Sequence, residues 1–228
     1  MQEIQITDLL MLLTKMNGPS LAFVCVMLFL FTVTCFFLLR HWLNYRGRMA
    51  GVSALINGQV KDDLANRRRQ TLEDAISNRR EEVGNLWREF DESLVFSNDK
   101  AKLYNTLDAE HFFNAKTLAS GLTESRLLAA APSFLVAIGV LGTFVGLSVG
   151  LAGLDVSGAL PELRMAMNTM ISGAATAFNT SVFGVLLSLI LNLIEKLLER
   201  NVRNQVRLLQ QKIDFLYPRI PAEQTLVH

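Results

Sequence analysis

The sequence predicts an all-α integral membrane protein with three transmembrane helices. Half of its 228 residues are apolar and its mean hydropathy is positive, yet it also contains 22 Lys or Arg and 21 Asp or Glu residues. These charges lie outside three long apolar runs, a segregation that is typical of membrane proteins. The near-neutral charge balance gives no reason to expect direct binding of nucleic acid.

The first apolar run predicts a transmembrane helix over residues 20–39. No charged residue lies between Lys15 and Arg40, and a helix of this length crosses a hydrocarbon core of about 30 Å. A signal peptide is the alternative, but the run is too long, the region before it is not basic and no small-residue cleavage site follows. Cys25 and Cys35 lie in this run, which favours small apolar side chains in a span over a disulfide or a metal motif.

The second and third spans are predicted at residues 127–154 and 166–194, which are also free of charge. Residues 155–165 between them contain the turn formers Gly158 and Pro161 and predict a short loop. The other ends of the spans are flanked by basic residues, namely Arg40, Arg46, Arg48, Arg126, Lys196, Arg200 and Arg203. The positive-inside rule therefore predicts that segments 1–19 and 155–165 are periplasmic and that the C-terminus is cytoplasmic.

Residues 40–126 are polar and contain no proline, and we expect several cytoplasmic helices there. The apolar residues at helical spacing are Leu86, Phe90, Leu94, Leu103 and Leu107. Arginine clusters at 67–69 and 79–80 are interleaved with acids, which favours a solvated helical face over binding of lipid headgroups or a partner.

No cofactor is expected and an enzyme is not predicted, because no nucleophile–base set or phosphate-binding loop is present in the sequence. Glu89, Asp91 and Glu92 are weak candidates for a metal site. They lack a neighbouring HxxxH pair or an EF-hand loop, so we favour the interpretation without metal.

The C-terminal segment 195–228 predicts an amphipathic, coiled-coil-like tail. Apolar residues recur at spacings of four and three in a stripe that we call the tail seam: Val202, Val206, Leu209, Ile213 and Leu216. A monomer is expected to leave this seam exposed, so the pattern favours a parallel bundle of identical chains. Pro218 and Pro221 end the pattern. One interpretation of the sequence is that it is a truncated form of a longer tail.

The second and third spans each carry a stripe of small residues, which allows helix backbones to approach closely. The stripes contain Gly139, Gly142, Gly146 and Gly150 in one span, and Gly173, Ala177, Ser181 and Gly184 in the other. Plain helix packing is one interpretation. Thr143, Thr180 and Ser181 add hydroxyl groups near mid-span, and their occurrence on two small faces favours a function. Since no span contains Asp, Glu, His, Lys or Arg, we expect that a proton could cross by a side-chain relay only with a carboxylate from a partner helix.

These residues resemble a known family. GVLGTFVGL at 139–147 is similar to the second-span motif of the MotA/TolQ/ExbB proton-channel family, and AFNTSVFGVLLSLI at 177–190 is similar to its third-span segment. The short external loop, the DAEHFFN segment at 108–114 and the tail resemble the ZorA branch, the membrane subunits of Zorya antiphage defence. A departure is Pro132, which lies about one helical turn farther from the motif than the proline of TolQ and ExbB.

The resemblance implies a bacterial inner-membrane motor subunit that converts proton motive force into rotation. Five copies would surround a dimer of a single-span MotB/ZorB-like partner with an intramembrane aspartate, and Thr143, Ser181 and Thr180 would line the ion pathway. Membrane lipid and cytoplasmic defence effectors would be further partners. The alternatives are an ExbB/TolQ-like energiser of outer-membrane transport or envelope maintenance, and a passive membrane scaffold. The choice between proton and sodium stays open.

Overall fold

The computed structural model describes residues 19–97, 102–152 and 160–220. The predictions for residues 1–18, for the loop around Gly158 and for the end of the tail at Pro221 lie outside these ranges. Besides a short 3-10 helix at Lys61–Asp63, the elements in chain order are α1 (Pro19–Ile56), α2 (Leu64–Ile76), α3 (Glu81–Glu92), β1 (Leu94–Phe96), β2 (Leu103–Asn105), α4 (Ala109–Phe112), α5 (Ala115–Leu118), α6 (Arg126–Ala152) and α7 (Leu160–Leu216).

The chain divides into two compact units. Described residues within Met1–Phe37 and Arg126–Lys196 form the first, which we call the span unit; those within Leu38–Ser125 and Leu197–His228 form the second, the polar unit. Helices α1, α6 and α7 are each long and apolar enough to cross a membrane. Their locations agree with the three predicted spans.

The third long helix extends beyond the span predicted at residues 166–194. Helix α7 begins at Leu160 and continues without interruption to Leu216, so residues 160–165 are helical and the span and the tail form one helix. Pro161 was interpreted as a turn former, but it lies within the described part of α7.

The span unit has a narrow core and an apolar surface. Val24 and Met27 of α1, Leu135 of α6, and Ala177 and Leu191 of α7 are buried. Large apolar side chains are exposed on the other faces of the helices, among them Phe29, Phe36, Phe134, Phe144 and Leu189. An apolar exterior of this kind suits lipid or neighbouring helices rather than water.

The polar unit is organised around an aromatic cluster. Trp87, Phe90, Phe113 and Tyr217 are buried together, and the ring centroids of Phe90 and Tyr217 lie 5.3 Å apart in an edge-to-face arrangement. Such pairs stabilise a core beyond the area that they bury. The cluster joins the apolar face of α3 to the end of α7, which explains why residues far apart in sequence form one unit.

The polar unit is not entirely helical. Leu94 and Leu103 were predicted to lie on helices, but they belong to an antiparallel hairpin in which Phe96 pairs with Leu103 and Leu94 pairs with Asn105. The Leu-Val-Phe run favours a strand locally. Asn105 also donates its N–H to Pro218 O and accepts from Ile220 N, so the chain after α7 continues the pairing.

The tail seam is buried within the single chain. None of its five side chains is more than 6% exposed. The expectation that a monomer would leave the seam exposed was therefore wrong, because the polar unit covers it. Polar residues of α7 fix this packing: Gln210 donates to Phe113 O at 2.7 Å, and Asp214 accepts from the N–H of Ala109 at 2.8 Å. The seam gives no argument for a bundle of identical chains.

Candidate functional site: a hydroxyl pair at a glycine crossing

Helices α6 and α7 approach most closely at Gly139 and Gly184. A Cβ atom at Gly184 would lie 2.8 Å from Leu135 O and 3.0 Å from Gly139 Cα, and one at Gly139 would lie 3.1 Å from Gly184 Cα. These neighbours are backbone atoms that cannot move without displacing a helix. A side chain at Gly184 would therefore force the helices to shift, and one at Gly139 would require a smaller movement, of a few tenths of an ångström. We call these two positions the glycine crossing.

The other glycines of the two predicted stripes differ in how closely the neighbouring helix approaches them. A Cβ atom at Gly146 would lie 2.6 Å from Ala177 Cβ, and one at Gly142 would lie 2.9 Å from the Thr180 hydroxyl. At Gly150 and Gly173 the nearest atoms lie at 3.7 and 3.5 Å, which are ordinary contacts. Close approach is thus concentrated around the middle of the two helices.

The structure brings Thr143 and Ser181 together beside the glycine crossing. Their hydroxyl groups are hydrogen-bonded to each other, and the Ser181 hydroxyl also lies 3.1 Å from Gly139 O. The Thr143 hydroxyl lies 3.1 Å from Gly139 O and 3.3 Å from Ala177 O. Both residues are only partly buried. We call these two side chains the hydroxyl pair; its oxygen atoms are held by backbone carbonyls, and both residues are only partly buried.

Thr180 differs from the hydroxyl pair although it is adjacent in sequence. Its side chain is completely buried, and its hydroxyl donates to Ala177 O at 2.6 Å, with Gly139 O at 3.4 Å. It packs between α6 and α7 and presents no surface to another molecule. The structure therefore separates the three predicted hydroxyls into a partly buried pair and a packing residue.

The hydroxyl pair can donate and accept hydrogen bonds, but it cannot change charge. Serine and threonine hydroxyls are neutral donors and acceptors, and the sequence has no Asp, Glu, His, Lys or Arg within residues 127–154 or 166–194. The pair can thus order water, coordinate a cation or bind a carboxylate. Proton uptake or release requires a group other than these two hydroxyls.

The weak metal candidates have other roles or are dispersed. The guanidinium of Arg68 donates to both carboxylate oxygens of Asp91, at 2.9 and 3.0 Å, and to its backbone oxygen. Glu89 and Glu92 are exposed. Over the described ranges, no three His, Cys, Asp or Glu side chains form a group that could hold a metal ion.

Several polar residues have structural roles that the sequence did not indicate. Arg48 was interpreted only as a topology marker, but it pairs with Glu82 and donates to the Ser120 hydroxyl at 2.8 Å. The hydrogen bond from Arg48 holds the pKa of Glu82 below its usual value. Burial raises the pKa of Tyr217 well above its usual value, and its hydroxyl donates to Gln59 at 2.8 Å. Both contacts join segments distant in sequence, which periodicity does not reveal.

Comparison with known proteins identifies the family of this chain. The family model of ZorA-like proteins, described as anti-phage protein ZorA of the Zorya type I system, matches residues 10–227. The Zorya protein ZorA of Escherichia coli O139:H28 (strain E24377A / ETEC) is 26% identical over 153 residues, which cover 64% of this chain and 21% of the relative. The chain thus corresponds to about a fifth of that relative's length. Because the family model covers nearly the whole sequence, the chain belongs to the ZorA-like family of anti-phage proteins.

Proposed function

We propose that this chain is the membrane subunit of a Zorya-type antiphage complex in which ion flow drives rotation. The observation that carries the proposal is the hydroxyl pair: two hydroxyls on partly buried residues, held together at a close helix crossing, in spans that contain no Asp, Glu, His, Lys or Arg. Membership of the ZorA-like family supports the defence role. The bacterial inner membrane is the proposed location, with the N-terminus in the periplasm and the C-terminus in the cytoplasm.

The partner that fits this site is a dimer of a single-span MotB/ZorB-like protein with an intramembrane aspartate. An ionised carboxylate is costly in the bilayer unless hydrogen-bond donors stabilise it. The hydroxyls of Thr143 and Ser181 become such donors when they turn their protons from Gly139 O toward the carboxylate. Hydrogen bonds to a charged acceptor are stronger than neutral ones, which favours this exchange. Protonation of the aspartate would weaken its attachment to one hydroxyl pair and deprotonation would strengthen it, so each ion transferred would favour movement to the next subunit.

A ring of chains around this partner is the assembly that we propose, with five copies by analogy with the MotA/TolQ/ExbB family. The exposed apolar side chains of α6 and α7, among them Phe144 and Phe178, support contacts with neighbouring subunits or lipid. The buried tail seam does not contribute to this argument. Cytoplasmic effectors of defence would bind elsewhere on the complex.

The test is phage plaquing on cells that carry the whole defence locus. We expect Thr143→Ala, Ser181→Ala together to abolish protection at equal expression, and Thr143→Ser, which keeps the hydroxyl, to preserve it. The matched control is Thr169→Ala, Thr176→Ala on α7, because these hydroxyls donate to carbonyls of their own helix, Met165 O and Ser172 O. The control variant should protect as well as the native chain.

The other outcomes separate the alternatives. Loss of an interhelical hydrogen bond in a membrane costs about 0.6 kcal/mol on average, so the double variant should still fold. If a folded double variant protects fully, the hydroxyl pair carries no ion and the passive scaffold is favoured. If the native locus gives no protection but its deletion impairs uptake or envelope integrity, the energiser of outer-membrane transport is favoured.

A further inference from the structure

The polar unit contains a cavity of about 390 Å³ between α1 and α7. Its lining is mostly polar or aromatic and includes Trp42, Tyr45, Arg46, Ser53, Asn201 and Gln205. Arg46 is the one charged residue in the lining, and no carboxylate contributes to it. A cavity with one guanidinium and several neutral donors has the chemistry of a site for an anion.

Tyr45 has an unmet hydrogen bond at this cavity. Its side chain is only 4% exposed, and its buried hydroxyl has no partner among the described residues. Tyr217, which is similarly buried, donates its hydroxyl to Gln59. A buried polar group without a partner is costly, so such groups call for an explanation. The hydroxyl is closed off from water in this structure, and a shift of the Tyr45 side chain on binding would bring it to an acceptor in the adjacent cavity.

Arg46 is held at the cavity without being neutralised. Its guanidinium carbon lies 4.8 Å from the centre of the Trp42 ring, within the range of a cation–π interaction. In the described part of the chain no carboxylate pairs with Arg46, whereas Arg48 pairs with Glu82 and Arg68 with Asp91. Its planar set of donors therefore stays available for a phosphate group.

The position of these residues along α1 identifies the source of the anion. Arg40 ends the first apolar run, and Trp42, Tyr45 and Arg46 lie within the next two helical turns. Tryptophan and tyrosine are enriched at this depth, at the headgroup layer, and basic pockets beside membrane helices bind anionic headgroups. We propose that the cavity binds the phosphodiester headgroup of an anionic phospholipid, with Arg46 as its charge partner and the Tyr45 hydroxyl as a donor.

This proposal depends on insertion of α1 in the membrane and not on rotation or ion flow. It can therefore fail while the hydroxyl pair is still required for defence, and the reverse also holds. The lipid would tie α1 and α7 together where the apolar run ends, a role for which no protein partner is needed.

The test is a titration of the purified full chain with phosphatidylglycerol in nonionic detergent, monitored by tryptophan emission. The chain has two tryptophans, and Trp87 is buried in the aromatic cluster, so a change on binding reports Trp42. We expect saturable binding that Arg46→Gln and Tyr45→Phe each weaken about tenfold, the size typical of one hydrogen bond to a charged group. Arg40→Gln removes the same charge from an exposed position of α1 outside the cavity and should change the affinity less than about twofold.

Four results would overturn the proposal. Equal weakening by Arg40→Gln and Arg46→Gln would indicate general attraction to an anionic surface, and unchanged affinity in Tyr45→Phe would remove the hydroxyl from the site. Binding of phosphatidylcholine with equal affinity would exclude an anionic headgroup. Displacement of the lipid by inorganic phosphate at similar concentration would assign the cavity to free phosphate.

Thermal unfolding keeps the test independent of folding defects. Without lipid, Tyr45→Phe should unfold at the same or a higher temperature than the native chain, because the substitution removes a buried hydroxyl without a partner. Phosphatidylglycerol should raise the Tm of the native chain more than that of the variant. A lower Tm of the lipid-free variant would show that the hydroxyl already has a partner and would contradict the proposal.

Discussion

Replacing Gly184 with alanine places a methyl group inside the glycine crossing. The new Cβ atom would lie 2.8 Å from Leu135 O and 3.0 Å from Gly139 Cα, so α6 and α7 would have to separate locally. Gly173→Ala is the matched control on the same helix. Its Cβ atom would meet nothing closer than Gly150 Cα at 3.5 Å, an ordinary van der Waals distance.

The expected magnitudes follow from two opposing terms. Overpacking a tight contact costs about 1–3 kcal/mol, while alanine in place of glycine favours a helix by up to about 1 kcal/mol. We therefore expect Gly184→Ala to lower the free energy of unfolding by about 1–2 kcal/mol. Gly173→Ala has only the favourable term and should leave the free energy of unfolding unchanged or raise it by up to about 1 kcal/mol.

The assay is reversible unfolding of the purified chain in mixed micelles of increasing SDS fraction, monitored by circular dichroism. The informative quantity is the difference between the two variants, about 2 kcal/mol, because both make the same chemical change in the same helix. Equal free energies of unfolding for the two variants would refute the reasoning, since the two helices would then not be in close contact at Gly184.

Two further predictions concern the polar unit. Ile213→Ala, at a fully buried position of the tail seam, should lower the free energy of unfolding by about 2–5 kcal/mol independently of protein concentration. The control Leu208→Ala, at an exposed position, should change it by less than about 0.5 kcal/mol. A loss of stability in chemical unfolding that depends on protein concentration would indicate that identical chains cover the seam. Because the folded-state pKa of Glu82 is lowered, its pair with Arg48 stabilises the fold above the ordinary pKa of about 4.5, and this stability is lost as the pH falls through the folded-state value. The small difference in Tm between the native chain and Glu82→Gln should therefore shrink below about pH 4.5, and a difference that is constant with pH in thermal melts would contradict this.

The sequence located the three long helices because a membrane span has a simple requirement. A run without charge must be about as long as the bilayer is thick. The same rule does not say where a helix stops outside the bilayer. It therefore missed that α7 begins at Leu160 and extends through the tail.

Periodicity identified buried faces but not what covers them. The spacing of Val202 to Leu216 correctly indicated one buried stripe, yet the covering surface comes from the polar unit of the same chain. That surface depends on long-range contacts, such as Tyr217 with Gln59 and Gln210 with Phe113, which leave no local pattern in the sequence. The strand pair at Leu94 and Leu103 was missed because the spacing of four between Leu86, Phe90 and Leu94 suggests a helix. The neighbouring Val95 and Phe96 favour a strand instead.

The sequence motif did not distinguish the role of Ser181, in the hydroxyl pair, from that of its neighbour Thr180. Thr180 and Ser181 are neighbours, and from sequence both qualified as ion-pathway residues, but a rotation of about 100° along a helix separates their directions. One side chain is buried against α6 and the other is only partly buried beside Thr143. Only the packing of α6 on α7 decides which of these two side chains is buried.

The glycine crossing and the hydroxyl pair depend on each other physically. The carbonyl of Gly139 lies within hydrogen-bonding distance of both hydroxyls, so the contact that requires glycine also fixes the oxygen atoms of Thr143 and Ser181. A neutral hydroxyl binds a carboxylate less strongly than a charged group does, which suits repeated binding and release. Under the proposed function, this chain would supply neutral hydroxyls at fixed positions, and the charge change that drives each step would belong to the partner.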